Sequence, residues 1–482
     1  MNVKVKLNNL DYRYDVYHLV NIFYPLNNIE FVCENHDLEI NISREKIICT
    51  LNEDTKIFCV DTNMKFKSFI KKALFEFFTY KTGKQMPWGT LIGIRPSKKT
   101  LELLQEGYND DEIIEYFKYN TCTRRDKVQL CVDIAKNESK FVNKEKNSIS
   151  VYIDMPFCPT RCLYCSFASN PIGSCKKIVE PYLNALYKEI DRMSKFIKEH
   201  HLKIECVYFG GGTPTSVSDE QFRNVMKNIH KHFVYKNDIK EFTVECGRPD
   251  SITLNKLKTM KEFNVNRISI NPQSMNEKTL KLIGRNHTPQ DIIDKFNMAR
   301  KVGFDSINMD IIVGLPGENS SDIIKTCSEI EKLNPDNLTV HGLSVKRGSR
   351  LHENIINKKK FEMQSQEELN KMFNETVKLA HNLGMKPYYM YRQKNMVGNM
   401  ENIGYTKEKK ECIYNIEMIE ERQTIIAVGA DAVSKVIFLD ENRIERFPNI
   451  KDVREYINRI DEKMGKKEKL LKTLYELEKE EM

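Results

Sequence analysis

The feature of this sequence that most restricts its fold is a repetition that starts at Ser148. Six short apolar runs (SISVYIDM, IECVYFGG, EFTVEC, RISINPQ, SINMDIIVGL and NLTVHGLSV) alternate with amphipathic stretches such as PYLNALYKEIDRMSKFIKEH, DEQFRNVMKNIHKHF, LNKLKTMKEF, PQDIIDKFNMARKVG and SDIIKTCSEIEKL. A helix between two strands returns the chain to the end from which it left. The strands therefore pair in parallel, with helices covering the sheet. Six such units curling toward closure give a partial (β/α)₆ TIM-like barrel, open along one side; strand order alone does not separate this from a flat, doubly wound sheet.

In parallel α/β barrels the chemistry gathers where strands end. Here the first run leads into a loop of three cysteines and the second into Gly210-Gly211-Gly212-Thr213-Pro214. The third ends at Glu245, the fourth at Gln273, the fifth at Asp310 with Gly314 beyond it, and the sixth at His341 to Ser344. Polar groups inside apolar strands need partners, and their recurrence at one end points to a shared site.

The cysteine segment reads Phe157-Cys158-Pro159-Thr160-Arg161-Cys162-Leu163-Tyr164-Cys165-Ser166-Phe167, a C-x₃-C-x₂-C spacing. Thiolates are the usual ligands of iron–sulfur clusters. Three of them on a four-iron cluster leave one iron open, where the amino and carboxylate groups of S-adenosyl-L-methionine (SAM) can bind. Reductive cleavage of the sulfonium C–S bond then gives methionine and a 5′-deoxyadenosyl radical. A structural zinc site needs four ligands, and the nearest further thiol is Cys175. A ferredoxin-like cluster needs a fourth cysteine, and a plain helix face requires the helix to begin at Pro159. The spacing, the aromatic Tyr164 and the strand-end placement agree with the SAM-binding cluster.

Around it, the glycine run lets backbone amides approach a ligand closely, or forms a tight turn. Glu245 and Asp310 are candidates to bond the SAM ammonium or ribose hydroxyls, or to pair as a salt bridge at the barrel mouth. Arg285 can hold a carboxylate through two parallel hydrogen bonds.

The other cysteines are scattered singly among 13 in all. In a chain without an export signal they read as small buried hydrophobes rather than a disulfide framework. The start, MNVKVKLNNLDYRYDVYHLV, has no signal-peptide core, and no run of about 18 apolar residues spans a membrane. A cytoplasmic protein is expected. The formal net charge of +8 lies partly in mixed runs such as 461–472, which read as solvated helix faces; no nucleic-acid partner is expected.

Residues 1–145 read as a separate α+β domain of unknown role. VKVKL, FVCENHDLEINIS and KIICTLN suggest a small antiparallel sheet, followed by a helix over FKSFIKKALFEFFTYKTG that ends on glycine. A further helix is expected from about Arg124 to Val142. PWGTLIGIRPSKK (87–99) is expected to be a structured loop. Residues 146–385 form the barrel, and 386–482 a smaller C-terminal α+β, substrate-side and helical region.

VYIDMPFCPTRCLYCSF, YFGGGTPT, NRISINPQS, IGRNHT and NMDIIVGLPGE resemble the coproporphyrinogen dehydrogenase group of radical SAM proteins, which includes oxygen-independent coproporphyrinogen III oxidases and haem chaperones. PWGTLIGIRP, PYYMYRQKNMVGNMENIGY and AVGADAVSK make the HemZ-type branch the nearest match. The resemblance implies a [4Fe–4S] cluster on Cys158, Cys162 and Cys165. It also implies SAM contacts from Tyr152, Gly211, Gly212, Thr213, Glu245, Gln273, Arg285, Asp310 and Ser344. A tetrapyrrole substrate (coproporphyrinogen III or haem), a flavodoxin- or ferredoxin-type reductant and a monomer are expected. The implied reaction takes a hydrogen from the β-carbon of a propionate; loss of CO₂ and one electron leaves a vinyl group, twice over. Arg392, beside Tyr389 and Tyr391, is a candidate substrate contact. One position departs from the oxidases: Phe167 stands where they carry a further cysteine, as in the haem chaperones.

Overall fold

The protein is described from a computed structural model covering residues 2–25, 28–93, 95–143, 145–167, 170–357 and 364–475. The chain divides into two compact units. One comprises Met1–Lys136, Gln364–Asn370 and Met390–Glu401; the other comprises Asn137–Met363, Lys371–Tyr389 and Asn402–Met482. Ile94 of the PWGTLIGIRP segment lies outside the described residues.

In the first unit, β1 (Asn2–Leu7), α1 (Arg13–Phe23), β2 (Asn28–Phe31), β3 (Leu38–Ile42), β4 (Lys46–Leu51) and β5 (Asp54–Cys59) precede α2 (Phe66–Thr82). The sheet order is β2-β1-β3-β4-β5. Only β3, β4 and β5 pair antiparallel. β1 is parallel to both β2 and β3, which corrects the antiparallel expectation: α1 crosses over between β1 and β2, and a helical crossover produces parallel pairing. The alternating strand β3 turns Leu38, Ile40 and Ile42 inward, and α2 lays Phe75 and Phe78 on Phe23 at 5.5 and 5.4 Å between ring centroids. As expected, α2 stops at Gly83, in the left-handed region with φ +67°. Next come α3 (Pro96–Gln105), α4 (Asp110–Thr121) and α5 (Arg125–Glu138), packed around Leu103, Ile113, Phe117, Val128 and Val132.

In the second unit the expected strands appear as β6 (Ser148–Met155), then, after the two-residue strands β7 (Phe157–Cys158) and β8 (Asn170–Pro171), β9 (Lys203–Gly211), β10 (Glu241–Gly247), β11 (Arg267–Ile270), β12 (Ile307–Val313) and β13 (Asn337–Gly342). Neighbours in this series pair in parallel and in chain order. The covering helices are α6 (Ile172–Glu199), α7 (Asp219–Ile229), α8 (Leu254–Glu262), α9 (Glu277–Leu282), α10 (Pro289–Val302) and α11 (Ser320–Leu333). Four of them start on a side-chain N-cap: Ser218, Thr253, Thr288 and Asn319.

After α12 (Arg350–Ile356) and α13 (Gln366–Asn382) come β14 (Lys386–Tyr391), β15 (Asn402–Thr406), α14 (Ile413–Glu420), β16 (Thr424–Val428), β17 (Val433–Phe438), β18 (Arg443–Pro448) and α15 (Val453–Tyr475). The main sheet runs β14-β15-β13-β12-β11-β10-β9-β6-β16-β17-β18. Residues beyond 386 are thus not a separate layer: β15 adds antiparallel to β13, and β16 adds parallel to β6. The apolar runs TIIAV and VIF, read as part of a terminal region, extend the barrel sheet instead.

β16 is tied down from outside. Glu189 of α6 accepts from Gly429 N–H (2.8 Å), Asn449 Nδ2 (2.9 Å), Tyr456 OH (2.6 Å) and Lys467 Nζ (2.6 Å). Both partners of the Glu189–Lys467 pair are fully buried.

Candidate functional site

β6 carries the chain to Met155, and the cysteine loop follows at its C-terminal end. Cys158 and Cys162 are buried and Cys165 is half-buried. Burial pushes the Cys158 thiol up to about 12, with the Thr213 hydroxyl opposing and the nearby Cys165 and Cys162 adding to the rise.

Four later segments lock this loop. Thr213 Oγ1 lies 3.4 Å from Cys158 Sγ. Buried Arg248 donates from Nη1 to Thr160 Oγ1 (2.7 Å) and reaches Cys162 Sγ at 3.7 Å, while Nε and Nη2 grip Asp250 at 3.0 and 2.7 Å. From the turn after α9, Gly284 O accepts from Thr160 Oγ1 (2.7 Å) and Ile283 O from Leu163 N–H (2.9 Å). From the segment before α12, Gly348 O accepts from Arg161 Nη2 (2.6 Å), and from the first turn of α12 Leu351 N–H donates to Leu163 O (2.9 Å).

The glycine run is a wedge against the same loop. Gly211 has φ +98°, and a Cβ there would stand 2.6 Å from Asp154 Oδ2. A Cβ on Gly212 would lie 2.8 Å from the Met155 and Phe157 carbonyl oxygens and 2.9 Å from Cys158 Sγ. No other residue type fits so close an approach.

Polar groups converge between the strands. The Tyr208 hydroxyl donates to Glu245, and Tyr152 OH donates to Asp154 Oδ2 at 3.0 Å. The rings of Tyr152, Tyr208 and Tyr414 cluster with near-parallel planes, Tyr208 4.3 Å from Tyr414 and Tyr152 6.1 Å from each. Burial pushes the Glu245 carboxyl up to about 7, with Asp310 adding to it and Tyr208, Arg267 and His341 opposing. Burial would also raise Asp310, but His341 at 3.6 Å and the hydrogen bond from Asn308 Nδ2 (2.7 Å) outweigh it and leave it lowered.

Of the expected SAM contacts, Tyr152, Glu245 and Asp310 meet in this polar interior, and Gly211, Gly212 and Thr213 lie at the cysteine loop. Gln273 sits past the end of β11 with φ +64°, its N–H bonded to Asp310 O (2.9 Å) and its carbonyl accepting from Ile312 N–H (3.0 Å). Arg285 donates from Nη1 to Asn271 O at 2.6 Å and borders Tyr164. Ser344 is buried two residues beyond β13.

These residues suit the expected cofactors. Gln273 Oε1, Asn271 Oδ1 and Arg285 Nε are buried without a hydrogen-bond partner, and buried polar atoms call for one. A zwitterionic ligand with carboxylate, ammonium and hydroxyls offers both donors and acceptors. Among the described residues no three Cys, His, Asp or Glu side chains converge to hold a single ion. Three thiolates that each serve a different iron of a cube need not converge in that way.

The radical SAM superfamily description matches residues 152–330. The oxygen-independent coproporphyrinogen-III oxidase-like protein HemZ of Bacillus subtilis (strain 168) is 38% identical over 432 residues, 88% of this chain and 86% of that one. The chain belongs to this HemZ-like family of radical SAM proteins. The haem chaperone HemW of the same organism is 34% identical over 224 residues, 46% of this chain and 58% of its own. The oxygen-independent coproporphyrinogen III oxidase of Escherichia coli (strain K12) is 31% identical over 199 residues, 40% of this chain and 41% of its own. A solved structure of coproporphyrinogen III oxidase (HemN) from Escherichia coli superposes with a TM-score of 0.51 at 20% identity, covering 68% of this chain and 72% of that one. That likeness shows the shared fold. The cofactors of this radical SAM family are a [4Fe–4S] cluster and SAM. No helix among the described residues is long and apolar enough to cross a membrane.

One expectation fails on geometry. Arg392 is buried, and its guanidinium is engaged within its own unit: it donates to Leu91 O and Asn399 Oδ1 and lies 5.0 Å from the Trp88 ring centroid. It braces the PWGTLIG segment and is not free to meet a substrate. Conversely, the sequence reading passed over Arg248, Thr160, Tyr208 and Tyr414. Arg248 carried a signal, an arginine directly after the third strand end in ECGRPD; its target, Cys162, lies 86 residues earlier.

Proposed function

We propose that this protein is a radical SAM oxidoreductase that decarboxylates the propionates of coproporphyrinogen III to vinyl groups without oxygen, giving protoporphyrinogen IX. The observation that carries this reading is the cysteine loop, locked at the end of the first barrel strand by Thr213, Arg248, Gly284 and Gly348, in a chain matched over most of its length by a coproporphyrinogen-oxidase-like relative. Cys158, Cys162 and Cys165 hold the cluster in this reading, which with SAM bound supplies a 5′-deoxyadenosyl radical. Thr213 and Arg248 bring hydrogen-bond donors to the sulfurs. Arg285 and Gln273 offer buried polar atoms to the methionyl end of SAM, and Glu245 and Asp310 offer acceptors to its ammonium and ribose. At each propionate the β-hydrogen passes to the 5′-deoxyadenosyl radical, giving 5′-deoxyadenosine, CO₂ leaves, and the remaining electron passes to an external one-electron acceptor. Anaerobic incubation of the iron-loaded protein with SAM, reductant and coproporphyrinogen III should give 5′-deoxyadenosine in step with vinyl product, and the C158A/C162A/C165A variant should give neither. Deoxyadenosine formed without vinyl product would reject this substrate.

A second reading is a haem-holding chaperone. Phe167, in the position where the oxidases carry a further cysteine, and the HemW relative support it. Stoichiometric haem binding without tetrapyrrole conversion would favour it, and a haem titration with no Soret shift would remove it.

A further inference from the structure

The segment LSVKRGSRL (343–351) leads from β13 to α12 and carries three cations and no acid. It lies on the cysteine loop through the Gly348–Arg161 and Leu351–Leu163 hydrogen bonds. Its backbone is held at Lys346, whose carbonyl accepts from both Ser349 N–H (2.9 Å) and Ser349 Oγ (2.7 Å). Ser349 itself is fully buried and caps α12 by accepting from His352 N–H.

The Lys346 side chain goes to the cluster loop. Lys346 Nζ stands 5.5 Å from the ring centroid of Phe167, which is 57% exposed. Lys346 is half-buried, and among the described residues no carboxylate interacts with its ammonium. A partly desolvated ammonium without an anionic partner is costly, and here it borders an exposed aromatic face two residues from a candidate cluster ligand. A flat ring system bearing carboxylates answers both features: the ring lies against Phe167 and the acid meets the ammonium.

Resting on the tetrapyrrole reading above, we propose that Lys346 binds a propionate carboxylate of the tetrapyrrole beside the cluster, with Phe167 as the wall for its ring. Arg347 and Arg350, both exposed, widen the positive field on the same turn.

The test is binding of coproporphyrin III to the anaerobic, iron-loaded full chain, followed by absorbance and fluorescence, with the tetramethyl ester as a second probe in the same cosolvent. K346A should weaken binding of the free acid by about tenfold, the scale of one lost charge-assisted bond. It should leave the ester unchanged, and K346R should restore the free acid. F167A should weaken both probes. Iron content and far-ultraviolet circular dichroism of each variant serve as folding controls. Wild-type affinity of K346A for the free acid, or an equal loss for acid and ester, would overturn the role of Lys346 while leaving the tetrapyrrole reading in place. Failure of the unsubstituted protein to bind either coproporphyrin III or haem would overturn both.

Discussion

Glu417, on α14, is fully buried, and its Oε1 accepts the Asn143 N–H at 2.5 Å. Burial pushes its carboxyl from the ordinary 4.5 up to about 8; the Asn143 bond opposes, and Glu205 and Glu420 add to the rise. Between those two values the folded chain keeps a proton that the unfolded chain has released, so this group's contribution to stability falls as pH rises through that window. E417Q keeps the acceptor for Asn143 and removes the titration. The loss of unfolding free energy between pH 5 and pH 8, measured by urea denaturation, should shrink by about 2–4 kcal/mol; an unchanged loss would show that the carboxyl ionises freely. At this scale the sequence was legible where partners are neighbours along the chain. The C-x₃-C-x₂-C spacing falls within eight residues. Arg248 and Lys346 act on that loop from far along the sequence, so their roles emerge only from the fold.

Among the elements, the turn after β9 and the α6–α15 clamp make separate demands. G212A would drive a methyl group into two carbonyls and the Cys158 sulfur. We expect iron content after reconstitution to collapse while far-ultraviolet circular dichroism stays near wild type, since the clash is confined to the turn after β9 and the adjoining ends of β6 and β7; full iron loading would contradict this. K467M leaves the buried Glu189 charge without its cation. It should cost about 3–5 kcal/mol in chemical denaturation, the range for breaking a buried pair from one side. The six barrel strands were readable because each carries apolar residues in a short run that is buried on both faces. The addition of β16 beside β6 was not, because pairing between residues 149–153 and 424–428 leaves no local trace. Nor was the full length of α6, which begins nine residues before its internal Pro181. A proline suggests a helix start, but this one is accommodated within the helix.

The chain passes between its two units more than once. Residues 364–370 and 390–401 return to the N-terminal unit, where Glu401 takes Trp88 Nε1–H at 2.7 Å and pairs with the Lys127 ammonium. Deleting residues 1–136 would leave buried Glu401 without Trp88 and Lys127, and a charge orphaned in this way costs about 3–5 kcal/mol. The truncated chain should therefore be far less soluble than the full chain and lose its cooperative melting transition, as read by circular dichroism; a soluble, cooperatively melting fragment would refute this. The same separation in sequence has a bearing on how the metal site is built. All three sulfurs are synthesised before residues 213, 248, 284 and 348, which later fasten the loop that carries them. A nascent chain therefore presents its thiols on an open segment, and the finished protein presents them inside a closed one. On the proposed assignment of the cluster to these cysteines, iron enters while the barrel is incomplete and, to leave afterwards, waits for fasteners from several strands to let go together; the lifetime of the cluster would then belong to the barrel and not to its loop.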